Sequence, residues 1–533
     1  MNHPVPAKRR MRWWIPATLV VLWVIGVALL WKLEVTFREQ ASVAVTLLTI
    51  LALAFWFVFL TGFPFRTRLA LVLIGAMVLA GAVLGIRNLT RIEGSIDGSG
   101  IPRLVWKWSP PRDAGLQELV VAAPTTNALP ETHRSNAASN FPQFLGPNRL
   151  GVITGLQLAR DWSSSPPRQV WRQPIGLGWS AFAVSAPRAI TQEQRGEKEL
   201  IVCYDLTTGH VLWSHTNLVR FSEVLGGDGP RATPTVEEGR VYAIGATGIL
   251  DCLDEATGQL IWSRDALREN GLQNITWGKS CSPLLLDASV IVTGGPEETK
   301  SLLAYRKETG EPLWQSGRDE ASYCSPSIAT IAGQRQIVIL NAQSVSGHDP
   351  RDGRVLWDYS WRGNWPKVAQ PLALENDRVF IAAGYGLGCV MLQLKRSDAG
   401  EWSVIELWKN RNLKPKFTNV VRREGCVYGL DDGTLVCLDL ATGERKWKDG
   451  RYGHGQVLLV EDVLLIQAES GDVVLVEANP NEHRELGRFS AIEGKTWNNP
   501  VLAGNYLLVR NDREAACYEL PLRAGPPVPS RDR

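Results

Sequence analysis

Methionine and histidine are scarce in this chain, with 4 and 7 copies in 533 residues, and neither clusters. Scattered histidines give no basis for a zinc centre, which needs several ligands within bonding distance. The 8 cysteines do not fill that gap, because there is no Cys-x-x-Cys, no Cys-x-x-Cys-His and no adjacent Cys-Cys pair. No metal site is therefore expected. Charge of one sign is missing too. The balance of 57 basic against 54 acidic side chains leaves only +3, too weak a field for a nucleic-acid binder, and no nucleic-acid partner is expected. What the chain has in excess is tryptophan, at 21 copies, which points to Trp used repeatedly at equivalent positions.

Three long apolar runs occupy the first ninety residues, at 13–31, 41–63 and 69–86. A helix rising ~1.5 Å per residue needs about 20 residues to cross a hydrocarbon layer of ~30 Å, so each run is long enough to span. One cleaved signal peptide would not account for three of them. Lys8, Arg9, Arg10 and Arg12 precede the first run, and Arg66 and Arg68 occupy the second loop. The first loop instead offsets Lys32 and Arg38 with Glu34 and Glu39. The positive-inside tendency then keeps residues 1–12 in the cytoplasm and exports everything after the third span. The expected organisation is a three-helix anchor over 13–90, a linker over 91–140, a repeat domain over 141–521 and a disordered tail over 522–533. Within the linker, Leu104-Val-Trp106-Lys-Trp108 reads as a short strand or a docking patch, and residues 122–140 read as a tether.

From residue 200 onward the chain repeats itself. Cys203-Tyr-Asp205-Leu-Thr-Thr-Gly209-His-Val-Leu-Trp213 returns as Cys252-Leu-Asp254-Glu-Ala-Thr-Gly258-Gln-Leu-Ile-Trp262 and as Ala304-Tyr-Arg306-Lys-Glu-Thr-Gly310-Glu-Pro-Leu-Trp314. It returns again around Gly347, Gly353 and Trp357, and around Cys437, Gly443 and Trp447. Each copy keeps a small residue, a Gly six further on and a Trp four beyond that. This is hairpin chemistry: Asp and Thr satisfy turn amides, Gly supplies the positive φ, and the next strand leaves toward Trp. Two more strand-like runs precede each copy, which makes a four-stranded unit of roughly 40 to 50 residues, the size of a propeller blade.

Trp213, Trp262, Trp314, Trp357, Trp408 and Trp447 close six such units, the fifth through an expanded hairpin ending at Trp402. A degenerate seventh runs from Gly455 to Phe489, and Asn499 to Glu519 supplies three further strands. Gln169-Val-Trp171-Arg-Gln, before the first complete unit, offers the missing fourth. Pairing the two ends would close the ring and remove its edges. The fold class that follows is all-β, an eight-bladed β-propeller preceded by three transmembrane α-helices, with seven blades as the alternative.

The pattern small-x-Asp-x-x-Thr-Gly-x-x-x-Trp resembles the tryptophan-docking motif of PQQ-repeat propellers, the quinoprotein alcohol dehydrogenase-like and BamB-like family. The lead-in Phe141-Pro-Gln-Phe-Leu-Gly146-Pro-Asn is similar to the opening segment of its membrane-bound or exported members. The resemblance implies that Trp213, Trp262, Trp314, Trp357 and Trp447 pack between neighbouring blades. It also implies that Cys203, Cys252, Cys437 and Cys517 stand where the family has Ala, each as a small buried hydrophobe. Cys281 and Cys324 fall at matching positions of adjacent blades, so a bridge between them stays open.

If the first strand of each blade lines the channel, cations recur just ahead of it. Arg231 precedes Thr233-Pro234, Lys279 precedes Ser282-Pro283, Lys367 precedes Gln370-Pro371, Lys416 precedes Asn419, and Lys495 and Trp497 precede Asn499-Pro500. His454 and Gln456 occupy the seventh position. Two readings stand side by side: these residues converge on an anion at one mouth, or each is solvated at its own strand entrance. Trp179, Trp277 and Trp497 beside that mouth suit a planar ligand. The resemblance also implies pyrroloquinoline quinone with Ca²⁺ as cofactor of a dehydrogenase acting on alcohols or sugars. That branch carries a vicinal disulfide, which this chain lacks. The expectation is a binding or scaffolding module of the bacterial cell envelope, integral to the inner membrane with its propeller in the periplasm. An envelope protein or an anionic small molecule is the expected partner, and no catalytic residue is assigned.

Overall fold

The computed structural model describes residues 12–32, 38–98, 100–116, 119, 140–297 and 299–523. Most of the expected tether and nearly all of the expected tail lie outside these residues. The chain divides into two compact units, Met1–Ser109 and Pro110–Arg533.

In the first unit the apolar runs form three helices, α1 (Trp14–Lys32), α2 (Arg38–Leu60) and α3 (Phe65–Leu89), each long and apolar enough to cross a membrane. Their side chains point mostly outward, as expected of helices whose solvent is lipid rather than water. Trp23 donates its indole N–H to the Thr46 hydroxyl at 2.9 Å, tying α1 to α2. Arg68 reaches back from α3 to the Val58 carbonyl at the end of α2. Directly after α3 comes a hairpin of Thr90–Ser95 and Pro102–Trp106. The start of the expected linker is therefore ordered. Its alternation is split between two strands with a register shift, so no single stretch displays a period.

The second unit is a ring of eight blades. Each sheet runs inner to outer in chain order, beginning with Ala183–Ser185, Arg188–Arg195, Lys198–Asp205 and Val211–Asn217 in blade 1. Blades 2 to 7 follow at 235–265, 284–316, 327–360, 372–410, 421–451 and 456–490. Blade 8 takes three strands from 501–519 and its outermost strand, Arg168–Pro174, from before blade 1. Cys517 pairs with Trp171 across that seam, and Arg172 and Arg168 pair with Glu514 and Glu519 beside it. Middle strands such as Leu464, Leu465, Val474 and Leu475 are wholly buried because their alternating faces pack against both neighbouring blades.

The repeated hairpin explains how blades adhere. In the Cys252 copy, Gly258 sits at φ +72°, and a Cβ there would lie 2.5 Å from the Trp213 ring of the preceding blade. Trp213 donates to the Glu255 carbonyl at 2.9 Å and Trp262 to the Lys307 carbonyl at 2.8 Å, each in the following blade. Trp447 donates to Asn479 O in blade 7, and Trp314 covers Gly353 in blade 4. Trp171 does the same from blade 8 to Gly209 and Leu206 O of blade 1, so one contact type also spans the closing seam. Trp357 is the exception, donating instead to Gln336 of its own blade. Blade 5 has replaced the tight Thr-Gly turn with an expanded hairpin between Arg396 and Trp402, so no glycine awaits that indole.

All eight cysteines are buried free thiols, including Cys281 and Cys324. The bridge left open between those two is not made: the Cys281 sulfur accepts the Thr293 amide, and the Cys324 thiol donates to Ser325 O. The lead-in does more than introduce the ring. Phe141 bridges Val184 of blade 1, Arg149 donates to Ser282 O and Pro283 O at the start of blade 3, and Val152–Ile153 joins blade 7 as a parallel strand. Blades 3 and 7 are diametrically opposed in a ring of eight, so this segment lies across the axis. Arg149 is wholly enclosed there, and burial brings its guanidinium down to about 10.

Candidate functional site

A ring of polar side chains marks the entrances of the innermost strands. Thr233 Oγ1 accepts the Ala181 amide, Ser282 Oγ accepts the Thr233 amide, and Ser325 Oγ accepts the Ser282 amide. Asn419 Oδ1 accepts the Gln370 amide at 2.8 Å, and Gln370 in turn donates to Ser325 O. Gln456 donates to Phe417 O and Trp497 O, and Asn498 to Ser180 O. Gln370 and Asn419, two of the expected ligand-binding residues, thus fasten one blade to the next. Innermost strands of about three residues offer few ladder bonds, and these side-chain bonds satisfy the backbone groups left over.

The expected cations divide into two sets. Lys279 and Lys367 are fully buried. The Lys279 ammonium donates to Thr293 O at 2.6 Å, to Thr293 Oγ1 at 2.8 Å and to Gly294 O, and the Lys367 ammonium donates to Ala342 O. Desolvation lowers both, Lys367 to about 8. These two ammonium groups hold strand ends and do not face the mouth. Arg231, Lys416 and Lys495 lie over aromatic faces: Arg231 is 4.6 Å from the Phe221 centroid, Lys416 is 4.8 Å from that of Tyr385, and Lys495 is 4.0 Å from that of Trp497. Such contacts draw on the negative face of the ring. Arg231 also donates to Gly227 O and Gly229 O, and burial lowers it to about 10 despite the Glu223 and Glu199 carboxylates.

Those rings belong to a larger set. Each of the eight loops linking one blade to the next delivers one ring to the mouth: Trp179, Phe221, Trp277, Tyr323, Trp365, Phe417, His454 and Trp497. Several of them touch around the opening. Trp179 lies 4.9 Å from Trp497, Trp497 lies 4.8 Å from Phe417, and Phe417 lies 5.6 Å from His454 and 6.4 Å from Tyr385. Tyr385, on a turn inside blade 5, stacks on Trp365 at 5.1 Å. On the far side Trp277 meets Tyr323 at 5.6 Å, and the Tyr323 hydroxyl accepts the Trp277 amide. Trp179 also donates to Gly226 O in the Phe221 loop at 2.6 Å.

The sequence alone points to Trp179, Trp277, Trp497 and His454, and misses Phe221, Tyr323, Trp365, Tyr385 and Phe417. A usable signal exists in part of the set, an aromatic two places before the polar anchor: Tyr323-Cys-Ser325, Phe417-Thr-Asn419 and His454-Gly-Gln456. Elsewhere the loops differ too much in length for a fixed spacing.

The donor set can be tested against a quinone held with Ca²⁺. A hard cation of that kind takes six to eight oxygens, several from carboxylates. Two carboxylates at the mouth are already committed: Glu469 accepts the Trp497 indole N–H at 2.7 Å and the His454 amide at 3.0 Å, and Glu223 accepts the amides of its own loop at Leu225 and Gly226. Among the described residues no three His, Cys, Asp or Glu side chains gather as a metal site. These residues do not fit that cofactor. A separate cleft of about 1090 Å³ opens on the side of the ring beside the expanded blade 5 hairpin, lined by Arg318, Arg335, Arg354, Arg396 and Trp402.

Comparison with known proteins agrees with this architecture. A family model described as outer membrane protein assembly factor BamB matches residues 166–277 and 197–449, together more than half of the chain. The outer membrane protein assembly factor BamB of Shewanella oneidensis is 21% identical over 350 residues, covering 63% of this chain and 84% of that protein. Among solved structures, quinohemoprotein alcohol dehydrogenase ADHIIG from Pseudomonas putida HK5 shares the fold with a TM-score of 0.52 at 14% identity, covering 74% of this chain and 82% of that one. The quinohemoprotein alcohol dehydrogenase of Comamonas testosteroni does so with a TM-score of 0.50 at 13% identity, covering 73% and 82%. With the repeated Trp hairpin and the closed ring of eight blades, this places the chain in the PQQ-repeat β-propeller family described as outer membrane protein assembly factor BamB.

Proposed function

We propose that this protein is a membrane-anchored scaffold of the bacterial cell envelope, fixed in the inner membrane by α1 to α3 and presenting its propeller mouth to a protein partner on the periplasmic side. The observation that carries the reading is the set of aromatic rings, one from every inter-blade loop, many in mutual contact and joined by Lys416 and Lys495. Half-buried Trp, Tyr and Arg are the residue types that dominate protein interfaces, because they bury large area with few rotors to freeze. Lys416 and Lys495 favour an acidic segment on the partner. The distribution of Lys and Arg around the helices supports the topology, and kinship with an assembly factor supports the scaffold role.

The test is in-cell crosslinking of the full chain from the mouth, followed by purification. Wild type is expected to recover discrete envelope proteins. The double variant Phe417→Ala, Trp497→Ala is expected to lose them by at least tenfold, with the far-ultraviolet spectrum unchanged. A charge reversal at Lys416 and Lys495 should weaken recovery in a salt-dependent manner. Equal recovery by wild type and both variants would refute the mouth as the contact surface. Saturable dye reduction with alcohols or sugars on adding pyrroloquinoline quinone and Ca²⁺ would refute the scaffold reading in favour of a dehydrogenase.

A further inference from the structure

The hairpin that follows α3 has two unlike faces. Residues directly opposed in an antiparallel pair share a face. Thr90 pairs with Trp106 and Ile92 with Leu104, while Arg91 pairs with Val105. One face therefore carries Ile92, Leu104 and Trp106, and alternation puts Arg91, Glu93 and Arg103 on the other. The apolar face is uncovered: Ile92 is 44% exposed, Leu104 52% and Trp106 51%. Trp108 extends it, 67% exposed and stacked on Trp106 with centroids 4.9 Å apart and planes within 8°. The charged face is internally tied, since Arg91 donates to Lys107 O and Ser109 O and pairs with Glu93. A water-exposed apolar surface of this kind is costly unless something covers it.

The position of the hairpin identifies the cover. No connector separates it from the helix, for Thr90 caps α3 with its amide on Ile86 O. The returning strand comes back to the same level, where the Lys107 amide donates to Leu89 O, the carbonyl of the last helical residue, at 2.9 Å. Trp106 and Trp108 thus flank the point at which α3 ends. That is the depth at which indoles concentrate in membrane proteins, apolar ring toward the acyl chains and N–H toward water.

We infer that the 90–108 hairpin is a second, interfacial membrane element, lying on the bilayer with Ile92, Leu104, Trp106 and Trp108 in the boundary between headgroups and acyl chains. Arg91, Glu93 and Arg103 then face water, as the polar face of an interfacial amphipathic segment does. The hairpin thereby prevents α3 from sliding or rotating, and it fixes the height at which the chain leaves the membrane. This rests on α1 to α3 being in a bilayer, so the test reads both.

The full chain is reconstituted in nanodiscs of phosphatidylcholine and phosphatidylglycerol. A nitroxide is attached singly through Leu104→Cys, Val105→Cys, Trp106→Cys and, as a depth reference in α3, Val78→Cys. The eight native thiols are buried and leave the introduced one as the reactive site. Power saturation with oxygen and with a water-soluble nickel chelate gives the depth of each label. The expected result is Val78 deep, Leu104 and Trp106 at the interface with oxygen favoured, and Val105 open to nickel. Nickel access at Leu104 and Trp106 equal to that at Val105 would overturn the inference while leaving the anchor intact. Protection of both sites from oxygen and nickel would also overturn it, since protein would then be the cover. Nickel access at Val78 would overturn the anchor itself. Should Trp106→Cys fail to fold, quenching of the native indoles by brominated lipids reads the same depth. The double variant Trp106→Phe, Trp108→Phe is expected to lose part of the quenchable emission, and no change would sink the proposal.

Discussion

Individual side chains in the ring are committed in ways that charge alone does not reveal. Glu199 is 3% exposed, with Oε1 on the Ala246 amide at 3.2 Å. Burial raises it from 4.5 to about 7, against the opposing effects of that amide and of Arg231. The folded protein therefore holds this proton up to about pH 7, whereas the unfolded chain releases it above about 4.5. Between those values the native state binds more protons, so this group's contribution to stability falls as pH rises. Glu199→Gln, which keeps the acceptor and removes the charge, is expected to stabilise the propeller at pH 8 by about 2 kcal/mol and to have little effect at pH 4. Denaturant titrations of both proteins at the two pH values check this, and equal differences at both would contradict it. Lys279 and Lys367 teach the same lesson. Their spacing ahead of the strand is plain in the sequence, but whether an ammonium reaches water or a carbonyl depends on where the end of a neighbouring strand stops.

At the scale of the element, the hairpin turn and the tryptophan of the blade before it form one unit. Gly258 and Gly239 both have φ near +72°, but a Cβ at Gly239 would meet open space. Gly239→Ala is expected to cost only the conformational penalty of about 1–2 kcal/mol. Gly258→Ala adds a collision with the Trp213 ring and is expected to cost at least ~2 kcal/mol more. Comparing their denaturation midpoints separates backbone strain from lost docking. The repeat is legible in sequence because everything it needs, the Asp and Thr that bond the turn, the Gly and the Trp, lies within eleven residues. The mouth is less legible because its rings ride on loops that range from the long 218–234 connection to the short 452–455 one. The hairpin after α3 escapes a one-dimensional reading for a related reason, as its apolar face is assembled from residues of two strands.

For the whole molecule, stability rests on the seam where residues some 350 positions apart meet. Trp171 sits on the one strand that the N-terminal part lends to the C-terminal blade, covering Gly209 and donating to Leu206 O at 2.8 Å. Trp171→Asp is expected to open blades 8 and 1 before the rest. Limited proteolysis should then cut first within 168–217 or 501–519, where wild type resists. Uniform cutting around the ring would show that closure is not the weak point. The eight-blade count is legible in the sequence because the end strands complement one another in number, three against one. The lead-in's path is not, since nothing local in Phe141 to Ile153 says which blades it will touch.

That path sets what the ring is able to do. With Arg149 fastened to blade 3 and Val152–Ile153 annealed to blade 7, one short segment ties opposite sides of the ring. A force that separates blade 3 from blade 7 then has to break this short tie as well as the ring itself.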